Sequence, residues 1–177
     1  AGAAFKFGSD FDATMTRVAV LTDIGIGGVG KMSAAVQAMS GTVATGPQAL
    51  ADGLMVVAST GLTGAKALDV LKASAIASAV GLGDTKAVSR AVTAAIKAYG
   101  DANMTAEQAT NKLFIAVRAG GAEASSFAGT LGNVVGVASQ MGVSFDEVLA
   151  SIATFTRLGV SAETATTIAQ VGSSAVR

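Results

Sequence analysis

Between Asp23 and Ser33 the chain reads Asp-Ile-Gly-Ile-Gly-Gly-Val-Gly-Lys-Met-Ser, the stretch whose residue types and spacing come nearest to phosphate chemistry. Gly25, Gly27 and Gly30 fit the GxGxxG pattern of dinucleotide sites, and Gly25 to Lys31 fits all of the phosphate-loop pattern except its final Ser or Thr. Both patterns work by letting backbone N–H groups close on a phosphate. The parts that complete the chemistry are missing. A phosphate loop needs a hydroxyl directly after its Lys to hold magnesium, and here Met32 stands in that place with Ser33 one position late. A dinucleotide site needs an acidic residue about twenty positions further on for the ribose, yet nothing acidic occurs between Asp23 and Asp52. No alternation of strands and helices follows. The stretch is read as a glycine-rich connection between helices, with a short helix from Lys31 to about Met39 beyond it.

Other chemistry is limited by composition. The chain has no His and no Cys, which removes His-based acid–base catalysis, thiolate nucleophiles, the usual zinc ligands and any disulfide framework. A saccharide hydrolase would need one of Glu107, Glu123, Glu147 or Glu163 in a cleft with aromatic walls. Tyr99 is the only Tyr and Trp is absent, and two of these Glu residues already have a place in a helix cap or first turn. No catalytic, cofactor-binding or metal-ligating residue is assigned, no cofactor is expected, and the chain is read as not an enzyme. With 12 basic and 12 acidic residues and a net charge of +0, it also lacks the clustered Lys and Arg of a nucleic-acid surface.

The elements that would position any site are helical throughout. From Phe5 to about Thr22, Phe7, Phe11, Met15 and Val18 share a face while Lys6, Asp10 and Arg17 lie elsewhere. Thr45-Gly46-Pro47 starts a helix to about Ala58, the Pro standing where a first turn tolerates it. Gly61-Leu62-Thr63 is a corner: Gly61 closes one helix and Thr63 caps the next. That next helix places Leu68, Leu71 and Ala75 on one side and Lys66, Asp69 and Lys72 on another. After Leu82-Gly83-Asp84, Val88, Val92, Ile96 and Tyr99 recur at helical spacing, with Lys86, Arg90 and Lys97 on a different face. Thr105 and Gln108 form a capping-box pair opening a helix whose apolar side is Leu113, Ala116 and Val117, ended by Gly120-Gly121. A further helix starts near Glu123. The segment from Ala124 to Phe145 carries no charge and holds Gly132-x-x-x-Gly136, a close-packing spacing. Its Ser, Thr, Asn and Gln content favours burial between protein neighbours over a lipid span. Ser144-x-x-Glu147 is a second capping box, with Val148, Leu149, Ile152 and Phe155 on one side behind it, and Gly159-Val160-Ser161 repeats the corner.

These observations predict an all-α fold built as a series of short antiparallel helical hairpins with Gly-rich corners. Residues 1–60 are expected to hold the N-terminal helices and the Gly-rich connection, and 61–177 a helical-hairpin core continuous with them. Composition adds an expectation about assembly. The chain is 51% hydrophobic and 14% charged, against roughly 25% charged in an ordinary soluble domain. Its apolar content comes largely from Ala and Val, which bury little area each at about 25 cal/mol per Å². Self-association, or burial within a larger assembly, follows. Ala1 is read as an internal position of a longer protein.

The order of corners carries a resemblance. Leu54, then Leu68-Asp69-Val70-Leu71, Gly81-Leu82-Gly83-Asp84, Ala98-Tyr99-Gly100 and Met141-Gly142-Val143-Ser144 resemble the conserved helical core of phage tail tape-measure proteins, from about Phe5 to the end of the chain. The resemblance implies a structural component of a phage tail, in the tail tube lumen or tip of the virion and in the host cytoplasm during assembly. It implies action in tail assembly, length determination and genome ejection, with tube protein, tip or baseplate proteins and tail chaperones as partners. A ruler rests on a long extended helix, and this chain is broken by glycine every twenty residues or so. It resembles the compact core of the family, not the ruler itself. The alternative reading is a membrane-active module forming a channel in the host envelope for DNA delivery, motivated by the low charge and the uncharged segment.

Overall fold

The computed structural model describes residues 2–100 and 103–175, with the side chains of residues 2–7 (the expected Lys6 and Phe7 positions included), Ile26 and residues 173–175 outside what is described. Among the described residues every regular element is a helix: α1 Gly2–Thr22, α2 Gly25–Ser40, α3 Pro47–Ser59, α4 Gly64–Ala79, α5 Thr85–Tyr99, α6 Ala106–Gly120, α7 Ala124–Gln140, α8 Phe145–Arg157 and α9 Ala162–Ala175. The all-α class is thus observed.

The helices start and stop where local chemistry tells them to. Asp84 caps α5, its Oδ1 accepting from the Ala87 N–H at 2.9 Å. Thr105 with Gln108, and Ser144 with Glu147, form complete capping boxes at α6 and α8, each satisfying N–H groups that a helix start would otherwise leave unpaired. Three helices end in one and the same way. At Gly81-Leu82, Gly142-Val143 and Gly159-Val160, the Gly takes a positive φ (95°, 76° and 89°). The next residue's N–H then reaches back six residues' span, to Ala77, Ala138 and Phe155 carbonyls at 3.0, 3.0 and 3.1 Å. This is the Schellman closure, in which the hydrophobic residue after Gly also folds back on the helix end. Leu82 is buried, and Val143 and Val160 pack against the core.

Two corners differ from expectation. Thr63 stands at the N-cap of α4 with extended backbone, but its side chain makes no capping hydrogen bond. The glycine-rich stretch is not a connection: α2 begins at Gly25, and the turn before it is only Asp23-Ile24, with Asp23 at φ 52°. Gly27, Gly28 and Gly30 lie inside the helix, held by burial of Met32 and Val36. Gly28 gives room to Ile24, whose Cβ lies 2.9 Å from where a Gly28 side chain would begin.

The helices sort into two sets by what they touch. The odd-numbered helices pack in sequence, α1 on α3, α3 on α5, α5 on α7 and α7 on α9, while α4 packs on α6 and α6 on α8. Consecutive helices also touch across their short connections. α5 and α7 run side by side in the same direction. Gly83, before α5, meets Ser125 at the start of α7, and further along Gly132 of α7 meets Ala94 and Arg90 of α5 at 3.8 Å. One buried cluster runs through the whole stack, from Phe11 and Met15 through Leu54, Leu71, Val92 and Leu131 to Ile152 and Ala165. At about 1.5–3 kcal/mol for each fully buried Val, Leu, Ile, Phe or Met, this stripe is the main favourable contribution to folding.

The expected faces hold with adjustments. Val88, Val92 and Ile96 are buried while Lys86, Arg90 and Lys97 are exposed. In α4, Leu71 and Ala75 are buried, but Ala67 and Val70 share their face and Leu68 is half-buried. In α6 the buried side is Ala109, Thr110, Leu113 and Ala116, with Val117 half-buried at its edge. α7 lies between α5 and α9, its Phe127, Leu131, Val134 and Val135 buried. Of its three glycines only Gly132 faces a neighbour; Gly129 and Gly136 have open space where a Cβ would stand.

Small residues set the spacing between helices. A Cβ on Gly120 of α6 would meet the Thr156 hydroxyl and lie 3.0 Å from the Ala153 Cα of α8. Gly120→Ala is therefore expected to lower unfolding stability by about 1–3 kcal/mol through overpacking. Gly136→Ala, in an exposed helix interior, is expected to raise it by about 0.5–1 kcal/mol. Urea denaturation of the two variants beside the parent chain reads both signs.

Candidate functional site

The residues that carry chemistry are spread along helix starts and are not gathered into a cleft. Glu123 caps α7, its two carboxylate oxygens accepting from the Ser125 and Ser126 N–H groups at 3.2 and 2.9 Å, and from the Ser125 hydroxyl. These bonds, the side-chain ones from Ser125 and Ser126 first, hold its pKa down to about 2. Glu147 accepts from the Ser144 hydroxyl and N–H at 2.7 and 2.8 Å, which lowers its pKa in the same way. Glu163, in the first turn of α9, is lowered by its own N–H and by Ser126 and Ser161. Glu107 is in the first turn of α6. A general acid needs the opposite, a carboxyl pushed upward by burial. Glu123, Glu147 and Glu163 are instead held ionised at helix N-termini, where the positive end of the helix dipole favours them.

Tyr99 is the other group with a displaced pKa. Its hydroxyl donates to the Val143 carbonyl at 3.0 Å and its ring lies 5.7 Å from that of Phe145. Burial, then the nearby charges of Glu147 and Asp146, push the phenol up to about 12. It ties the end of α5 to the α7–α8 corner as a neutral donor. Lys97 does the same at the other side of α5, its ammonium donating to the Thr60 carbonyl after α3, and Lys112 of α6 pairs with Asp146 of α8.

The glycine-rich stretch, the opening candidate for phosphate, is now accounted for as helix, so its N–H groups beyond the first turn are committed to the α2 ladder. Lys31 lies at its seventh position and is exposed. Among the described residues no group of three or more carboxylates could hold a metal ion, and no helix is long and apolar enough to cross a membrane.

What the surface does offer is apolar relief that the sequence reading did not single out. A groove of about 1030 Å³ runs between α4 and α6, bordered by Leu62, Ile76, Val80, Met104 and Phe114. Ile76 and Val80 are 48% and 61% exposed. Phe114 is braced by the Arg118 guanidinium 5.7 Å from its ring centre. Ile115, Leu158 and Val171 are also exposed. The signal existed in the sequence as apolar residues outside the main helical face, but nothing in a single helix tells which of two apolar faces stays open.

The described residues form an all-α stack with capped corners and open apolar relief, and similarity to known proteins gives the class. Residues 33–173 match the family of phage-related minor tail proteins, and the chain belongs to that family; it is a phage tail component. Over 163 residues, 90% of this chain, it is also 29% identical to the tape measure protein of Pneumococcus phage Dp-1. The chain spans 14% of the length of that relative. No solved structure matches it.

Glu123, Glu147 and Glu163 give a pH dependence of known sign. Their folded pKa values lie below the unfolded ones, so the stability they contribute is complete above the unfolded carboxylate range and is lost as pH falls through the folded values. The unfolding temperature is expected to be level from pH 7 to about 5 and to decline progressively toward pH 2. Glu123→Gln should lower the neutral-pH plateau and shallow the lowest part of the decline. Thermal melts followed by circular dichroism across that range measure both.

Proposed function

We propose that this chain is a structural piece of a tape-measure protein, occupying the tail tube lumen or tip of the virion and acting in tail assembly, length determination and genome ejection. The observation that supports this most is the family match across residues 33–173, on a fold whose charged groups serve helix ends. In this reading the chain has no catalytic role, takes no cofactor or metal and has no specific nucleic-acid site. Residues 1–60 and 61–177 act as one continuous body, with α1 to α3 leading into the core.

The partners fit the surface. Low charge and exposed Ile76, Val80, Ile115, Leu158 and Val171 suit contacts with further copies of the chain, with tube and tip or baseplate proteins, and with tail chaperones that keep such surfaces covered before assembly. The host cytoplasm is where those chaperones would meet it. The channel-forming alternative is less favoured, since the uncharged segment is α7, packed between α5 and α9, and no described helix is long and apolar enough to cross a membrane.

A compact stack has a different mechanical role from an extended ruler. At 1.5 Å per residue, a fully helical extended segment of 177 residues would account for about 270 Å of tail. In-frame duplication of this segment in the parent phage is expected to leave tail length unchanged in negative-stain images, while its peptides are recovered from purified virions. Lengthening by about 270 Å would overturn the compact role, and absence of the peptides from virions would overturn the tail-component reading.

A further inference from the structure

The outer stripe of α4 has the spacing of a helix meant to meet another helix. Leu62 just before α4, Lys66, Asp69, Ala73 and Ile76 along it, and Val80 just after it all border the groove beside α6. The steps between them are four, three, four, three and four residues. This is the alternation of a two-stranded coiled-coil seam, which keeps all of them on one narrow strip of the surface. Within the chain the strip is left uncovered at Ile76 and Val80.

The strip is also its own complement when it meets a copy running the other way. It is symmetric about Leu71: Leu62 and Val80 lie nine residues to either side, Lys66 and Ile76 five, Asp69 and Ala73 two. In an antiparallel pair, Leu62 then meets the copy's Val80, and Ile76 lies along the aliphatic stem of the copy's Lys66. Asp69 comes opposite the copy's Ala73 and within reach of its Lys72, an opposite charge that also lines the groove. Every one of these contacts occurs twice, as an isologous interface requires. A parallel pair would instead set Asp69 on Asp69 and Lys66 on Lys66. The net charge of +0 leaves no long-range repulsion between copies.

We propose that a second copy of this chain docks on the α4 face, with the two α4 helices antiparallel at a shallow crossing of about 20° and the two grooves closing over each other. The proposal deepens the self-association read above and rests on it. Two of the six seam residues, Lys66 and Asp69, are charged, so it describes a pairing that forms at high local concentration and is set in direction by charge.

Sedimentation velocity of the 177-residue chain over a concentration series is the test, with circular dichroism on each variant to check that the helices are kept. The parent chain is expected to dimerise. Ile76→Glu, and separately Asp69→Lys and Lys72→Asp, are expected to weaken the dimer by about tenfold or more. The double variant D69K/K72D is expected to return to within about threefold of the parent, because exchanging both charges rebuilds the same pairs. A chain that stays monomeric at every concentration overturns both this docking and the self-association beneath it, and leaves the groove to a helix of another tail protein. An oligomer indifferent to Ile76→Glu and to the charge exchange overturns the α4 docking alone.

Discussion

Close approach between helix backbones is the constraint on which the rest of this structure depends. Gly120 lies against Ala153, Gly53 against Leu71, Thr85 and Ser89, and Ala51, Ala91, Ala95 and Ala128 are fully buried. Side chains of this size bring helices together but remove little apolar area per residue, so a single helix–helix contact contributes little. Each helix therefore needs several neighbours, and α5 has four: α3, α4, α6 and α7. The two sets of helices are the arrangement in which a chain of short, small-residue helices obtains them.

Much of this was legible in the residues. The helix starts at Asp84, Thr105 and Ser144 each rest on a polar side chain within three residues of the N–H it accepts from, a purely local event. The Gly-hydrophobic ends are equally local, since the Schellman bonds span six residues. The misreadings came where a distant partner decides. Glycine costs a helix about 1 kcal/mol relative to alanine, so Gly25 to Gly30 read as a break. Burial of Met32 and Val36 and the room Gly28 leaves for Ile24 outweigh that cost. Thr63 has the right type and place for a cap and still makes no bond. Which faces of α4 and α6 stay open depends on how far α6 stands from α4, and no residue within either helix encodes that distance by itself.

The absence of a gathered site has the same origin. The acidic groups are engaged at helix starts: Glu147 by Ser144, and Glu123 and Glu163 by serines and N–H groups that include a shared Ser126 where the starts of α7 and α9 meet. Carboxylates held ionised in this way stabilise helix starts, whereas a general acid needs a carboxyl pushed upward by its surroundings. For a member of a tail protein family this division is coherent: chemistry at the corners keeps the stack intact, and apolar relief on the outside is left for contacts.

The order in which helices touch has a mechanical consequence. Among the described residues each substantial packing partner lies one or two helices away along the chain, so contact order is low and the described ends are not clamped together by substantial contacts between them. A fold of this kind unravels from a terminus. Traction on α9 has only its contacts with α7 and α8 to overcome, and then α8 becomes the next terminal layer, held by α6 and α7. Force is met one helix at a time instead of all at once, and each helix released can re-form on the layer left behind. A body passing through a passage narrower than itself would meet a succession of small barriers where a globule knotted together by long-range contacts would meet one large one.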